Sequence, residues 1–231
     1  MTLFGNAEII GLTQPYGKLA HLQVTEFLAY IARISNPKNQ NNHLTAPKLL
    51  RYLIREKHWS PFEMINVVME IETTRDIARQ ILRHRSFSYQ EFSQRYADPT
   101  EELGFVSRAT RLQDVKNRQS SIETSDQALH DGWADKQLRV QQEANSAYQW
   151  ALQNNIAKEV ARSVLPEGMI VSRLYMNGSL RSWLHYALVR THASTQSEHR
   201  FIAATAWRQI AEVFPALAEI EMPASDSPDI S

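Results

Sequence analysis

The stretch RQILRHRSFSYQEFSQRY, residues 79 to 96, holds four arginines and a histidine within one short segment. On a helical wheel over residues 75–85, Ile77, Ala78, Ile81 and Leu82 share an apolar arc. Arg75, Arg79 and Arg83 stack beside it at i, i+4 and i+8, and Gln80 and His84 lie on a third arc. Stacked like charges cost about 0.2–0.5 kcal/mol per pair in an isolated helix, and Asp76 alone does not offset three of them. A helix continued to Arg85 would point that guanidinium into the apolar arc, so either the helix stops first or an anion holds the arginine. Downstream, Ser86, Ser88, Gln90, Glu91, Ser93 and Arg95 supply hydroxyls, amides, one acceptor and an arginine fork, the groups that hold a phosphate. Charge pattern alone leaves two readings open. One is a phosphate site; the other is a solvated basic helix end paired with Glu70, Glu72 or another acid.

Other residues carry weaker signals. His58, Ser60 and Glu63 in KHWSPFE read either as polar site residues before a strand or as an ordinary Ser-Pro turn. Arg162 in VARSVLP falls away from an Ile156, Val160, Val164 face, which reads equally as a surface arginine. His185, His192 and His199 recur every seven residues. No H-E-x-x-H pair accompanies them and the THAST segment interrupts the helix, so no metal site is expected. Seven scattered glycines do not make a dinucleotide fingerprint. With 25 basic and 25 acidic side chains the formal net charge is zero, which argues against a nucleic-acid polymer as partner and suits the arginines to a small anion. The chain has no cysteine, which excludes disulfides, cysteine metal sites and a thiolate nucleophile. No apolar run reaches membrane-span length, and the start MTLFGNAEII lacks the basic and apolar parts of a signal peptide; a cytoplasmic protein without membrane association is expected.

These side chains need elements to position them. Helical spacing marks 22–35 and 45–58, the latter with Thr45 as N-cap and Pro47 in its first turn. Alternation of Ile65, Val67, Met69 and Ile71 marks a strand, as does MIVSRLYMN at 169–177. Residues 75–84 are helical. Residues 98–126 are polar and irregular. A long helical region follows to about 165, with breaks expected at Gly132 and near 153–155. Leu180, Trp183, Leu184, Ala187 and Leu188 share a face of the next helix, and a last helix spans 196–214. This is one α+β domain, mostly helical with a small sheet, over residues 1–220, followed by a tail, 221–231, expected to be disordered.

The segment RHRSFSYQEFS, residues 83 to 93, resembles the Arg-His-Arg, seven residues, Ser signature of the flavin-dependent thymidylate synthases, the ThyX family. HWSPFEM at 58–64 is similar to that family's His-x-Ser/Thr-Pro-Phe-Glu segment, and RQILRHR matches its Gln and Arg before the signature. ARSVLP at 161–166 resembles its Ala-Arg-x-x-Leu-Pro. LRSWLHYALVRTHASTQSEHR resembles its C-terminal helix pair, in which an arginine precedes Gln-x-Glu. The likeness extends over about residues 20–215.

The resemblance implies methylation of dUMP to dTMP, with the carbon from 5,10-methylenetetrahydrofolate, the hydride from reduced FAD and NADPH as reductant. It implies that Gln80, Arg83, Glu91, Phe92, Ser93, Gln94, Arg95, Arg162 and Arg190 contact dUMP, with Ser93 and Arg95 toward its phosphate. His58, Ser60, Arg83, His84, Arg85, Glu91, Arg181 and His185 would surround FAD. Arg190, against the uracil, would be the catalytic residue and favour ionisation at N3. The implied fold is α+β, helices around a small antiparallel sheet, and the implied assembly is a homotetramer with shared active sites. Two departures stand out: Asn177 lies four residues before Arg181, and His185 stands where many members have asparagine. The absence of cysteine accords with the flavin route, in which the pyrimidine is activated electrostatically. A diverged FAD- and nucleotide-binding reductase and a non-enzymatic nucleotide- or RNA-binding protein are the rival readings.

Overall fold

The computed structural model describes residues 3–220 together with 222 and 223; the rest of the expected C-terminal tail lies outside the described residues. One antiparallel sheet runs in the order β1 (Asn6–Leu12), β2 (Asn66–Thr74), β6 (Val171–Ser179), β3 (Ser88–Glu91). Strands β2 and β6 pair without interruption from Asn66↔Ser179 to Thr74↔Val171. The period of two sends Val67, Met69, Ile71, Leu174 and Met176 to a buried face. Glu72 and Arg173 take the other face, where they pair at 2.9 Å.

The apolar face is covered by α7 (Leu180–Arg190) and α8 (Ser197–Val213), with α1 (Val24–Ala32) and α2 (Ala46–Arg55) beside them. The expected stripe on α7 is buried at Leu180, Trp183, Leu184 and Ala187, each large side chain contributing about 1.5–3 kcal/mol of burial. Trp183 also donates its indole N–H to the Val67 carbonyl at 3.1 Å. Thr45 stands at the N-cap of α2 but makes no side-chain cap. Its hydroxyl instead accepts a hydrogen bond from Arg33 at 2.7 Å.

Three expectations about elements are corrected. Helix α5 (Gln127–Gln153) runs unbroken through Gly132, because at one exposed position the glycine penalty of about 1 kcal/mol is small against a 27-residue helix. Val160 and Val164 are exposed rather than forming a buried face with Ile156. Here α6 (Lys158–Ala161) is one short turn, and Tyr148, Ala151, Ala161, Leu165 and Ile170 form the local core instead. The irregular 98–126 segment contains a short helix α4 (Pro99–Glu102) and a hairpin of β4 (Arg111–Gln113) with β5 (Ser121–Glu123). Periodicity had also assigned no strand to β1 or β3. A register shift between Ile9 and Gly11 breaks the alternation of the first, and the second is only four residues long.

Candidate functional site

Helix α3 (Arg75–Ile81) starts where β2 ends and stops at Ile81, so Arg83, His84 and Arg85 lie beyond it. That resolves Arg85: the chain turns and the guanidinium is exposed rather than driven into the apolar arc. The basic stripe divides. Arg75 is buried, 3.3 Å from Glu91 and 3.7 Å from Glu167, and Arg79 pairs with Glu167 at 3.0 Å. The acids that compensate this stripe are therefore Glu91 and Glu167, not Glu70 or Glu72. Arg83 and Arg85 are exposed and have no carboxylate partner among the described residues.

The ends of α3, α7 and α8 meet. Arg190, the last residue of α7, donates from Nε to His84 Nε2 at 2.7 Å. Burial, then the Arg190 and His185 charges, lower the His84 pKa to about 4. At neutral pH the ring is uncharged and its Nε2 is free to accept. Gln80, on α3, donates from Nε2 to Gln196 Oε1 at 2.8 Å. His199 Nδ1 stands 3.2 Å from Gln80 Oε1, and His199 Nε2 stands 3.1 Å from the Tyr186 hydroxyl. Gln196 donates to Glu198 at 3.0 Å, and Arg111 of the hairpin reaches Glu198 at 2.6 Å.

A second group lies at the start of α7. Arg181 pairs with Glu63 of the Ser60–Met64 turn at 2.7 Å, both side chains partly open to solvent. A hydrogen bond from Ser179, with help from Arg181, holds the Glu63 carboxyl below its usual range despite some desolvation. His58, Ser60 and His185 are exposed.

The third group follows β3. The Glu91 carboxylate accepts from Arg75 and, at 2.8 Å, from Ser172, which ties it to the sheet. Phe92 N–H donates to the Arg173 carbonyl at 2.8 Å, Ser93 is half-buried, and Gln94 is buried with its side-chain amide nitrogen unpartnered. Arg95 pairs at 3.3 Å with Glu159, three residues before half-buried Arg162. This group makes no hydrogen bond or ion pair to Gln80, His84 or Arg190 among the described residues. A cavity of about 390 Å³ lined by Thr191, Trp207, Arg208 and Met222 among others holds none of the expected residues.

The three histidines spaced at seven do not gather: His185 is exposed, His192 bonds Ser194, and His199 is buried. Tyr186 and His199 had no assigned role. A signal existed in the sequence: His199 falls on the same face as Ile202, Ala203, Ala206 and Ile210, a polar ring on an otherwise apolar stripe.

The sequence model of the family described as thymidylate synthase complementing protein matches residues 19–216. The flavin-dependent thymidylate synthase of Synechocystis sp. is 49% identical over 191 residues, 83% of this chain and 86% of that one. The probable flavin-dependent thymidylate synthase of Paramecium bursaria Chlorella virus 1 is 42% identical over 214 residues, 93% of this chain and 97% of that one. Among solved structures, the UMP/dUMP methylase PolB from Streptomyces cacaoi, bound with 5-Br dUMP, superposes with a TM-score of 0.77. That match is 26% identical and covers 94% of each chain.

Proposed function

The chain belongs to the thymidylate synthase complementing protein family, and from that premise we propose that it methylates dUMP at C5 to give dTMP. When bound, NADPH-reduced FAD supplies the hydride that, with the carbon of 5,10-methylenetetrahydrofolate, completes the new methyl group. One observation carries the assignment of roles: the Arg190 guanidinium, expected against the pyrimidine, touches His84, expected against the flavin, at 2.7 Å. The two subsites then share a wall.

The residues present suit a flavin dinucleotide. Arg83 and Arg85 are exposed without carboxylate partners among the described residues, and His58, Ser60, Arg181 and His185 present further donors. Such a set is complementary to a diphosphate. Glu63 keeps Arg181 oriented. Glu91, held by Arg75 and Ser172, offers its remaining lone pairs to either ligand. For dUMP, Gln80, Arg83 and Arg190 serve the base, while Ser93, Gln94, Arg95 and Arg162, with Phe92 as packing, serve the phosphate end.

No cysteine exists to add to C6 of the pyrimidine, so the ring is activated by charge. Arg190 brings to the base a planar charged fork suited to an anion. Its half-buried guanidinium, oriented by neutral His84, stabilises the negative charge that ionisation at N3 places on the ring. Over the whole reaction C5 gives up its proton to solvent and gains the carbon unit, whose bonds to the folate nitrogens break to leave tetrahydrofolate.

The site is completed in a homotetramer. Two features support this: the base-side and phosphate-side groups make no mutual polar contact in one chain, and α5 exposes Trp133, Val140 and Trp150, apolar surface suited to association.

Protein loaded with FAD is expected to show flavin absorption and to form dTMP from dUMP with methylenetetrahydrofolate and NADPH. Arg190→Ala should retain the flavin and its bleaching by NADPH yet lose roughly 10²- to 10³-fold in dTMP formation, the usual cost of one preorganised electrostatic donor. A protein that ignores FAD, or an Arg190→Ala variant with unimpaired dTMP formation, contradicts the proposal.

A further inference from the structure

The hydrogen bonds around Gln80 have only one consistent direction, and Glu198 sets it. The residue is 5% exposed; burial opposes ionisation, but the Arg111 hydrogen bond and charge, with Arg108, outweigh that and hold its pKa below the usual range. A carboxylate only accepts, so the Gln196 side chain must turn its NH₂ toward Glu198, as the 3.0 Å contact has it. The Gln196 oxygen then faces Gln80 and accepts from Gln80 Nε2 at 2.8 Å. Gln80 Oε1 is left facing His199 Nδ1 at 3.2 Å, so that nitrogen carries the proton. In a neutral ring Nε2 is then bare, and it accepts from the Tyr186 hydroxyl at 3.1 Å. The ring is neutral because burial, then Arg190 and His84, lower its pKa to about 3. Burial raises the Tyr186 pKa, which keeps the phenol proton in place to be donated.

We propose that His199, braced by Tyr186, is a positioning residue that fixes which end of the Gln80 amide faces the bound pyrimidine and thereby selects uracil over cytosine. The proposal rests on the reading that Gln80 contacts dUMP. An amide left free can rotate by half a turn and exchange donor for acceptor, because its two ends have nearly the same shape. On binding, before N3 ionises, the N3–C4 edge of uracil presents a donor and then an acceptor; that of cytosine presents an acceptor and then a donor. A freely rotating Gln80 serves both edges. Held at one end by His199 and at the other by Gln196, it has one hydrogen and one lone pair left, in a fixed order. That order matches only one of the two bases.

The test uses FAD-loaded protein and calorimetric titration with dUMP and, separately, dCMP. In His199→Leu the Gln80 oxygen loses its donor. The dUMP dissociation constant is expected to rise roughly three- to tenfold, the worth of one hydrogen bond, and the dUMP-to-dCMP preference to narrow by a similar factor. His199→Asn, whose amide nitrogen stands near the place of Nδ1, should restore both quantities. His199→Gln, which reaches Tyr186 but withdraws the donor from Gln80, should behave like the leucine variant. The Asn–Gln contrast keeps the test decisive should the leucine variant fail to fold. Unchanged dUMP affinity and preference in folded His199→Leu overturns the inference, as does an equal loss for both nucleotides that His199→Asn does not restore. Wild-type protein that binds no dUMP overturns the proposed function together with it, whereas dUMP binding with silent His199 variants overturns the inference alone.

Discussion

The protonation states of two imidazoles follow from where the fold puts them. His84 faces the Arg190 and His185 charges and the Tyr186 and His199 rings, and its pKa lies at about 4. His199 faces Gln80, Tyr186, His84 and Arg190, and its pKa lies at about 3. An unfolded histidine titrates near 6.5. Between those values the unfolded chain binds more protons than the folded one, so stability rises with pH there. The contribution is complete above about pH 6.5 and is lost as pH falls toward the folded values. Glu198 and Asp98, whose folded pKa values are lowered, lose their contribution only further down, within and below the carboxylate range. Urea unfolding at pH 7.5 and 5.5 should therefore show a decline in wild type that is smaller by about 1 kcal/mol in His199→Asn. Equal declines in the two proteins would mean that His199 is charged in the folded state.

At the scale of elements, two glycines make opposite predictions. Gly178, on β6, lies under Phe87: a Cβ there would meet the ring at 2.3 and 2.6 Å. The ring cannot withdraw, because Trp183 and Tyr186 pack against it with centroids at 4.9 and 6.0 Å. Phe87 also anchors the chain between Arg85 and β3, so its displacement would disturb Arg83 and Arg85, the arginines proposed to hold the flavin. Gly178→Ala is expected to destabilise by about 1–3 kcal/mol, the usual cost of overpacking. Gly132, within α5, has nothing within 4 Å of its would-be Cβ, and Gly132→Ala should stabilise by about 0.5–1 kcal/mol. Chemical denaturation of both variants checks the signs; a stabilised Gly178→Ala would show that Phe87 is free to move.

For the whole molecule, the chain leaves Trp133 and Trp150 of α5 at 46% and 61% exposure. In the proposed tetramer these two side chains are expected to be covered by a neighbouring copy. Light scattering on the wild-type protein is expected to give four times the 26.6 kDa chain mass. Changing Trp133 and Trp150 together to lysine should yield a smaller species that has lost dTMP formation. A double variant that remains tetrameric and active would move the interface off this helix.

Much was legible from the sequence because it depends on local pattern. The alternation of Val67, Met69 and Ile71 follows from a strand with one buried face, and the α7 stripe follows from 3.6 residues per turn. The Arg-His-Arg segment with its Ser, and the arginine before Gln-x-Glu, point to the chemistry through their resemblance to the flavin-dependent thymidylate synthases, whereas their charge pattern alone leaves a solvated basic helix end also open. The tertiary structure decided what spacing cannot carry. Arg75 and Arg83 belong to one sequence stripe, yet one is buried against Glu91 and the other is exposed, because burial depends on what packs above each position. The short strand β3 exists through its pairing with β6. Glu198 is held ionised by Arg111, 87 residues away in the hairpin, with Arg108, and the directions of the hydrogen bonds from Glu198 to Tyr186 follow from that charge together with the neutral His199 ring. Helical and strand periods are properties of neighbours in the chain, whereas hydrogen-bond direction and charge state are set by neighbours in space.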